Sequence, residues 1–212
     1  MSVTDSRTAA PDKGRGPGRP RKPDIDKQIL AATLALIDAD EPVTVAGIIA
    51  ASGISRAALY RRWPSLTTLI AAALDTGREQ PDPIPTDGDL RENILAAILT
   101  PTTGTDVVNY PEERLRQRIR LTMTDRALQQ TYWKSHISRR RTPLEHALRA
   151  GINQGILRKD LDVEACTDLI AGVFYYQFVV RGARIDDPTT RTRCHAALEV
   201  ALRGMVVEDG LL

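Results

Sequence analysis

Apolar residues recur along this chain at intervals of three and four, and nowhere for long at intervals of two. Ile25, Ile29, Leu30, Leu34 and Ile37 form one stripe, which predicts a helix from Asp24 to Ile37. Asp24 and Asp26 lie in its first turn, where negative charge suits the helix dipole. The acidic link Asp38–Pro42 ends it. Thr44 is placed to cap a short second helix whose inward face is Val45, Ile48 and Ile49. Ser52-Gly53 breaks that helix, and Ser55 caps a third, from Arg56 to about Trp63, which Pro64 stops. Val43 with Ile48, and Ile54 with Leu59, have the spacing of hydrophobic staples across the two caps. Ser65 opens a fourth helix, with Leu66, Leu69, Ile70, Ala73 and Leu74 as its apolar positions.

Pro81, Pro83 and Pro85 mark an irregular connection to a larger helical region. Asp89 caps a helix through Leu99, closed by Pro101–Gly104, and Pro111 opens another to about Met123. A long pattern from Arg126 to Gly151 holds Pro143, where a kink or break is expected. Asp162 caps a helix to about Arg181, and Asp187-Pro188 opens the last one, to about Val207. The expected class is all-α: a helix-turn-helix domain over residues 24–78 and a helical bundle over residues 86–212.

Charge changes this picture at one end. The formal net charge is +2, but residues 13–22 alone hold five basic residues and no acid. The remainder is therefore −3, and residues 24–75 carry four bases against six acids. Residues 1–23, rich in Pro and Gly around those bases, read as a disordered arm. Gly18-Arg19-Pro20-Arg21-Lys22 is similar to the core of an AT-hook, so Arg19 and Arg21 are candidates for a narrow minor groove. The two cysteines, Cys166 and Cys194, read as small core residues in a reducing compartment. The first residues carry no apolar signal segment, and the longest apolar run, Leu169–Val180, has twelve residues where a membrane span needs about 20. A cytoplasmic protein without a membrane segment is expected. No catalytic constellation, phosphate loop, metal-ligand spacing or cofactor motif stands out, and Arg139-Arg140-Arg141 reads as a solvated face.

Two short helices around Ser52-Gly53-Ile54, the second with a basic outer side, form a helix-turn-helix pattern. Leu59 and Trp63 face inward, with Arg56, Ala57, Tyr60 and Arg61 opposite. Arg56 can reach a guanine edge, and small Ala57 and Ala58 let the helix come close to the bases. Thr44, Ser55, Tyr60 and Arg62 suit phosphates.

The run from Thr44 to Ser65, TVAGIIAASGISRAALYRRWPS, resembles the TetR family of transcriptional regulators, matching its pattern at Thr44, Ile48, Gly53, Ile54, Ser55, Leu59, Tyr60 and Trp63. It departs at Ile49, Ser52, Ala58 and Leu66, where the family favours Ala, Ala, Thr and Lys. Gly155-Ile156-Leu157, Asp160-Leu161-Asp162, Gly172 and Tyr175-Tyr176 are similar to a regulatory domain in part of that family. The resemblance implies a homodimer reading a near-palindromic double-stranded DNA operator. Thr44, Ser55 and Tyr60 would touch the backbone while Arg56 and Ala57 approach bases.

It also implies dimerisation through the last two long helices. The first of these is apolar nearly all round, and His195, Leu198, Glu199, Leu202 and Met205 supply a companion stripe. A small-molecule effector in the bundle is implied as well. Met123, Trp133, His136, Phe174, Tyr175 and Phe178 are its candidate lining, because the rare aromatics gather there. The leading expectation is a repressor released from its operator by the effector. A ligand-independent DNA binder, or a ligand-binding helical protein with a vestigial helix-turn-helix, would fit the same residues.

Overall fold

The computed structural model describes residues 23–78, 80–99, 111–184 and 186–207. The arm with Arg19 and Arg21, and the Pro101–Gly104 break, lie outside the described residues. Among the described residues ten α-helices follow in order: α1 Pro23–Asp38, α2 Val45–Ser52, α3 Arg56–Tyr60, α4 Leu66–Leu74, α5 Leu90–Leu99, α6 Glu112–Thr124, α7 Arg126–Tyr132, α8 Ser138–Asn153, α9 Val163–Tyr175 and α10 Pro188–Arg203. A π-helical turn, Trp133–Ile137, joins α7 to α8, and a second, Tyr176–Val180, extends α9. Among the described residues the sole β pairing is an isolated antiparallel bridge, Leu157 with Val206. The last helix ends at Arg203, four residues before the expected Val207.

The caps explain most helix starts. The side chains of Thr44, Ser55, Asp125, Asp162 and Asp187 accept backbone N–H bonds at the heads of α2, α3, α7, α9 and α10. Ser65 and Thr68 form a reciprocal capping box on α4. Each such cap contributes about 1 kcal/mol, which matters most for helices as short as α2 and α3. Pro143 neither breaks nor ends α8. The departure from α geometry falls upstream, in the π turn that precedes Ser138.

Three apolar clusters organise the molecule. Ile29, Ile48, Leu59 and Leu69 are the centre of α1–α4, with Val43, Ile54 and Trp63 packed on them. Leu90, Ile94, Leu95, Leu148, Ile170, Leu198 and Leu202 are among the core residues of the larger bundle. The third cluster straddles the two: Ile37, Ala71, Ala73 and Leu74 of α1 and α4 meet Leu128 and Tyr132 of α7. Full burial of a Leu or Ile is worth about 1.5–3 kcal/mol, so the small straddling cluster already opposes free movement of the two parts. Gly151 makes the tightest crossing in the bundle. A Cβ there would stand 2.4 Å from Leu90 and 2.8 Å from Leu157. Cys166 and Cys194 are buried free thiols, and burial raises the pKa of both.

Two sequence expectations need correction. Leu198, Leu202 and Met205 form no partner-facing stripe, because they are buried in their own subunit's core, and Glu199 binds Arg91. The exposed side of α10 instead carries Ala196, Ala197 and Val200. The apolar helix is also longer than its twelve-residue run. Val163–Val180 has 18 residues and a mean hydropathy of 1.3, enough in length and composition to cross a membrane. Its packing is that of a bundle helix: Cys166, Thr167, Ile170 and Gln177 turn inward, and Arg141 bonds to Asp168 and to the Glu164 carbonyl along its flank. Leu169, Tyr175, Tyr176, Val179 and Val180 remain exposed along the other side.

Candidate functional site

The turn between α2 and α3 fixes the first surface. Gly53 adopts φ +67°, a left-handed conformation that caps α2 and suits glycine. The Ser52 hydroxyl donates to the Ile48 carbonyl at 2.6 Å. Thr44 Oγ1 accepts from the Gly47 N–H at 3.0 Å and Ser55 Oγ from the Ala58 N–H at 3.3 Å. Leu59 is fully buried and Trp63 packs beside it, which rotates Arg56, Ala57, Tyr60 and Arg61 outward. With exposed Thr44 and Ser55 they gather on the outer side of α3 and the heads of α2 and α3. The Arg56 guanidinium lies 5.7 Å from the centre of the Tyr60 ring, a cation–π distance that keeps both groups outward.

Two neighbours turn away from this surface. Ala58, expected against the bases, is buried against the domain core. Arg62, expected on a phosphate, pairs with Asp26 of α1 and donates to the Ala58 carbonyl at 3.2 Å, with its side chain 11% exposed. One helical step separates Arg61 from Arg62. That step, about 100° at 3.6 residues per turn, carries Arg62 over the edge of α1.

Between the two apolar bodies lies a polar joint that sequence reasoning missed. Asp75, just beyond α4, accepts hydrogen bonds from His136 Nδ1 at 2.8 Å and from Arg140 at 3.4 Å, while Arg78 lies 3.7 Å away. Arg140 also donates to the Arg78 carbonyl at 2.8 Å, and Arg78 to the Tyr132 hydroxyl at 2.6 Å. Buried Arg118 of α6 reaches the same hydroxyl at 3.4 Å. Burial alone would raise the Asp75 carboxyl's pKa. The His136 hydrogen bond and the charges of His136, Arg140 and Arg78 outweigh it, holding the carboxyl below the usual carboxylate range. His136 therefore lies at the joint. Arg140 and Arg141 are not solvated: Arg140 is buried at the joint, and Arg141 bonds to Glu145 and Asp168 beneath Trp133. Partners 61 and 65 residues away from His136 and Arg140 leave no periodic signal.

Helix α6 ties the bundle to α1 as well. Arg114 holds Asp38 with two bonds, 3.0 and 2.6 Å, and Arg120 pairs with Asp40. Helix α6 also lines a cavity of about 270 Å³. Leu115, Ile119 and Met123 contribute apolar surface, with Glu112, Arg116 and Arg120 alongside, and Phe178 and Val179 of the second π turn and Ala183 beyond it face them. Of the expected effector residues, Met123 and Phe178 line it. Phe174 packs on the bundle core, Tyr175 is exposed, and Trp133 is half-exposed beside Arg141.

Comparison with known proteins converges on one family. The family model described as "Tetracyclin repressor-like, C-terminal domain" matches residues 81–197, more than half of the chain. YdeS, an uncharacterised HTH-type transcriptional regulator of Bacillus subtilis strain 168, is 29% identical over 182 residues, which is 82% of this chain and 88% of that one. An uncharacterised HTH-type regulator of Mycobacterium bovis is 24% identical over 157 residues, 73% of this chain and 76% of that one. A TetR transcriptional regulator from Agrobacterium tumefaciens has the same fold, with a TM-score of 0.64 at 16% identity, covering 87% of this chain and 96% of its own. SmeT, the repressor of the Stenotrophomonas maltophilia multidrug efflux pump SmeDEF, has a TM-score of 0.57 at 20% identity, covering 87% and 91%. A capped helix-turn-helix stands in front of a bundle that the family model spans, and this chain belongs to the TetR family of transcriptional regulators.

Proposed function

We propose that this regulator is a cytoplasmic, homodimeric repressor that leaves a near-palindromic operator when a small effector occupies its bundle. The observation that carries the DNA-binding half is the exposed surface of Thr44, Ser55, Arg56, Ala57, Tyr60 and Arg61 around one capped turn. Residues 24–78 are the DNA-binding unit in this reading and residues 86–212 the regulatory one. Thr44, Ser55 and Tyr60 hold phosphates, Arg56 and Ala57 meet base edges, and Arg61 holds a further phosphate. Arg62 supports α3 from behind through Asp26. Arg19 and Arg21 of the arm add a second, minor-groove reader.

Two copies join through the apolar side of α9 and its π turn, together with the Ala196, Ala197 and Val200 side of α10. That face is what a partner subunit would cover. Dimerisation sets two α3 helices about 34 Å apart, on successive major grooves. The cavity beside α6 is the effector site, and its position supports a route to the DNA-binding unit, since α6 also grips α1 through Asp38 and Asp40. An effector that favours another setting of α6 shifts the population away from the operator-bound spacing.

The test is a mobility shift on the DNA upstream of this gene with Arg56→Ala/Tyr60→Phe. The double variant is expected to bind at least about tenfold more weakly, given about 1–3 kcal/mol for a bidentate base contact. Unchanged binding would overturn the assignment of α3. Deleting residues 1–22 should also flatten the salt dependence, by about 0.9 in the logarithmic slope for each phosphate that the arm neutralises.

A further inference from the structure

We propose that the cavity between α6 and the second π turn takes an amphipathic carboxylate, and that Arg120 transmits its arrival by exchanging Asp40 for the ligand. The inference rests on reading this cavity as the effector site.

The lining divides into two chemistries. Leu115, Ile119, Met123, Phe178 and Val179 offer an apolar bed. At about 30 Å³ per water, 270 Å³ is the room of about nine waters, enough for a short alkyl chain or a single ring system. Arg116 and Arg120 stand one turn apart along the same wall. The acid of the lining, Glu112, is already answered: Arg116 donates to it at 2.9 Å and Arg184 stands 4.0 Å away. The cavity wall therefore carries one net positive charge: Arg116 offsets Glu112, and Arg120, shared with Asp40, is the guanidinium for which a ligand can compete. A cationic ligand would meet Arg116 and Arg120 with no acid left for it. A neutral apolar ligand would fill the bed without using either guanidinium. A carboxylate with an apolar tail uses both surfaces, and the planar fork of an arginine matches its two oxygens.

Arg120 is also the residue through which the signal leaves. It lines the cavity and holds Asp40 just beyond the end of α1, while Gln117 accepts from it at 2.6 Å. Both Arg120 and Asp40 are more than half exposed, and an ion pair in that setting is weak. A carboxylate that also lays an apolar tail on the bed of the cavity is a competent rival for it. Asp40 sits at φ +56°, the sole non-glycine residue with positive φ among the described residues, so the end of α1 has a specific local geometry. With Arg120 turned to the ligand, Arg114–Asp38 still joins α6 to α1. The coupling is reciprocal: whatever weakens Asp40's hold on Arg120 must tighten the ligand.

Titration calorimetry on the full-length protein with octanoate, octanol and octylammonium tests this. Octanoate is expected to bind at least about tenfold more tightly than either analogue, the scale of about 1.4 kcal/mol for one charge-assisted contact. Arg116→Gln should weaken octanoate several-fold and leave octanol unchanged. Asp40→Asn should tighten octanoate about threefold or more and again leave octanol alone, and asparagine tolerates the positive φ. Ile119→Trp, which fills the bed, should abolish binding of every probe. Octanol binding as tightly as octanoate, no octanoate binding at millimolar concentration, or an Asp40→Asn variant with unaltered octanoate affinity would each overturn the proposal. Octanoate binding that survives Ile119→Trp would overturn the effector-cavity reading itself. No readout involves DNA, so failure of operator recognition would leave these results standing.

Discussion

Two exposed surfaces of this molecule differ in kind. Around α3 the outward groups are hydroxyls, a phenol and two guanidiniums, set on short helices that caps and staples hold in place. Along α9 they are Leu169, Tyr175, Tyr176, Val179 and Val180, with the exposed apolar side of α10 following in the chain. Exposure has opposite meanings in the two places. Polar groups lose little by waiting in water for a charged, wet partner such as DNA. Leu169, Tyr175, Tyr176 and Val180, which lie outside the cavity lining, are costly to leave in water and suit a dry protein partner. Net charge hid this difference, because residues 24–75 carry more acids than bases. In the proposed reading, placement of Arg56 and Arg61, with Arg62 absorbed by Asp26, does what bulk charge cannot.

The largest expected effect comes from making the second surface resemble the first. Tyr176→Asp with Val180→Asp should leave a protein that sediments near 23.3 kDa instead of twice that mass. Operator affinity should fall by about a hundredfold or more, because the two half-sites no longer bind as one unit. A double variant that still sediments as a dimer would move the partner surface elsewhere.

The joint between the surfaces comes next. Asp75→Asn should destabilise the protein by about 1–3 kcal/mol at neutral pH, the usual cost of removing a charged hydrogen-bond partner from a part-buried site. The folded-state pKa of Asp75 is lowered, so its contribution is complete above the ordinary carboxylate value and lost as pH falls through the folded one. Urea melts at neutral pH and near pH 3 should show the gap between wild type and variant shrinking. An equal gap at both would mean the ionised carboxylate is not its source.

Smallest, and sharpest, is the contrast of Arg61 with Arg62. Arg61→Ala should reduce the logarithmic salt slope of DNA binding by about 0.9 and leave Tm unchanged. Arg62→Ala should lower Tm by a few degrees, since it leaves Asp26 without its partner. Salt-series titrations and thermal melts separate the two. Reversed results would exchange the roles of these neighbours.

What could be read from the sequence follows from range. Thr44, Gly53, Ser55 and Ser65 act on groups three or four residues away, so caps, turn and staples were legible from spacing. The inward Leu59 and outward Tyr60 followed from the same periodicity. The fate of Arg62, 36 residues from Asp26, and of His136, 61 residues from Asp75, depends on helix packing that no local pattern encodes. The stripe on α10 shows the same limit in another form. Periodicity identified Leu198, Leu202 and Met205 as one apolar face but could not say whether that face met its own core or another chain. The cavity was half legible: aromatic rarity pointed to Phe178, whereas Ile119 and Leu115 looked like any amphipathic helix.

Gly151 has a mechanical consequence. Leu90 and Leu157 close so tightly over it that a side chain at this position would run into them, and a slide of α8 that brought one there would be opposed. Were α8 to tilt about that point, Gly151 would be its fulcrum and the helix a lever. Arg140 lies eleven residues up the arm, about 16 Å at 1.5 Å per residue. A tilt of about 7° there would carry its guanidinium about 2 Å, enough to open a hydrogen bond to Asp75.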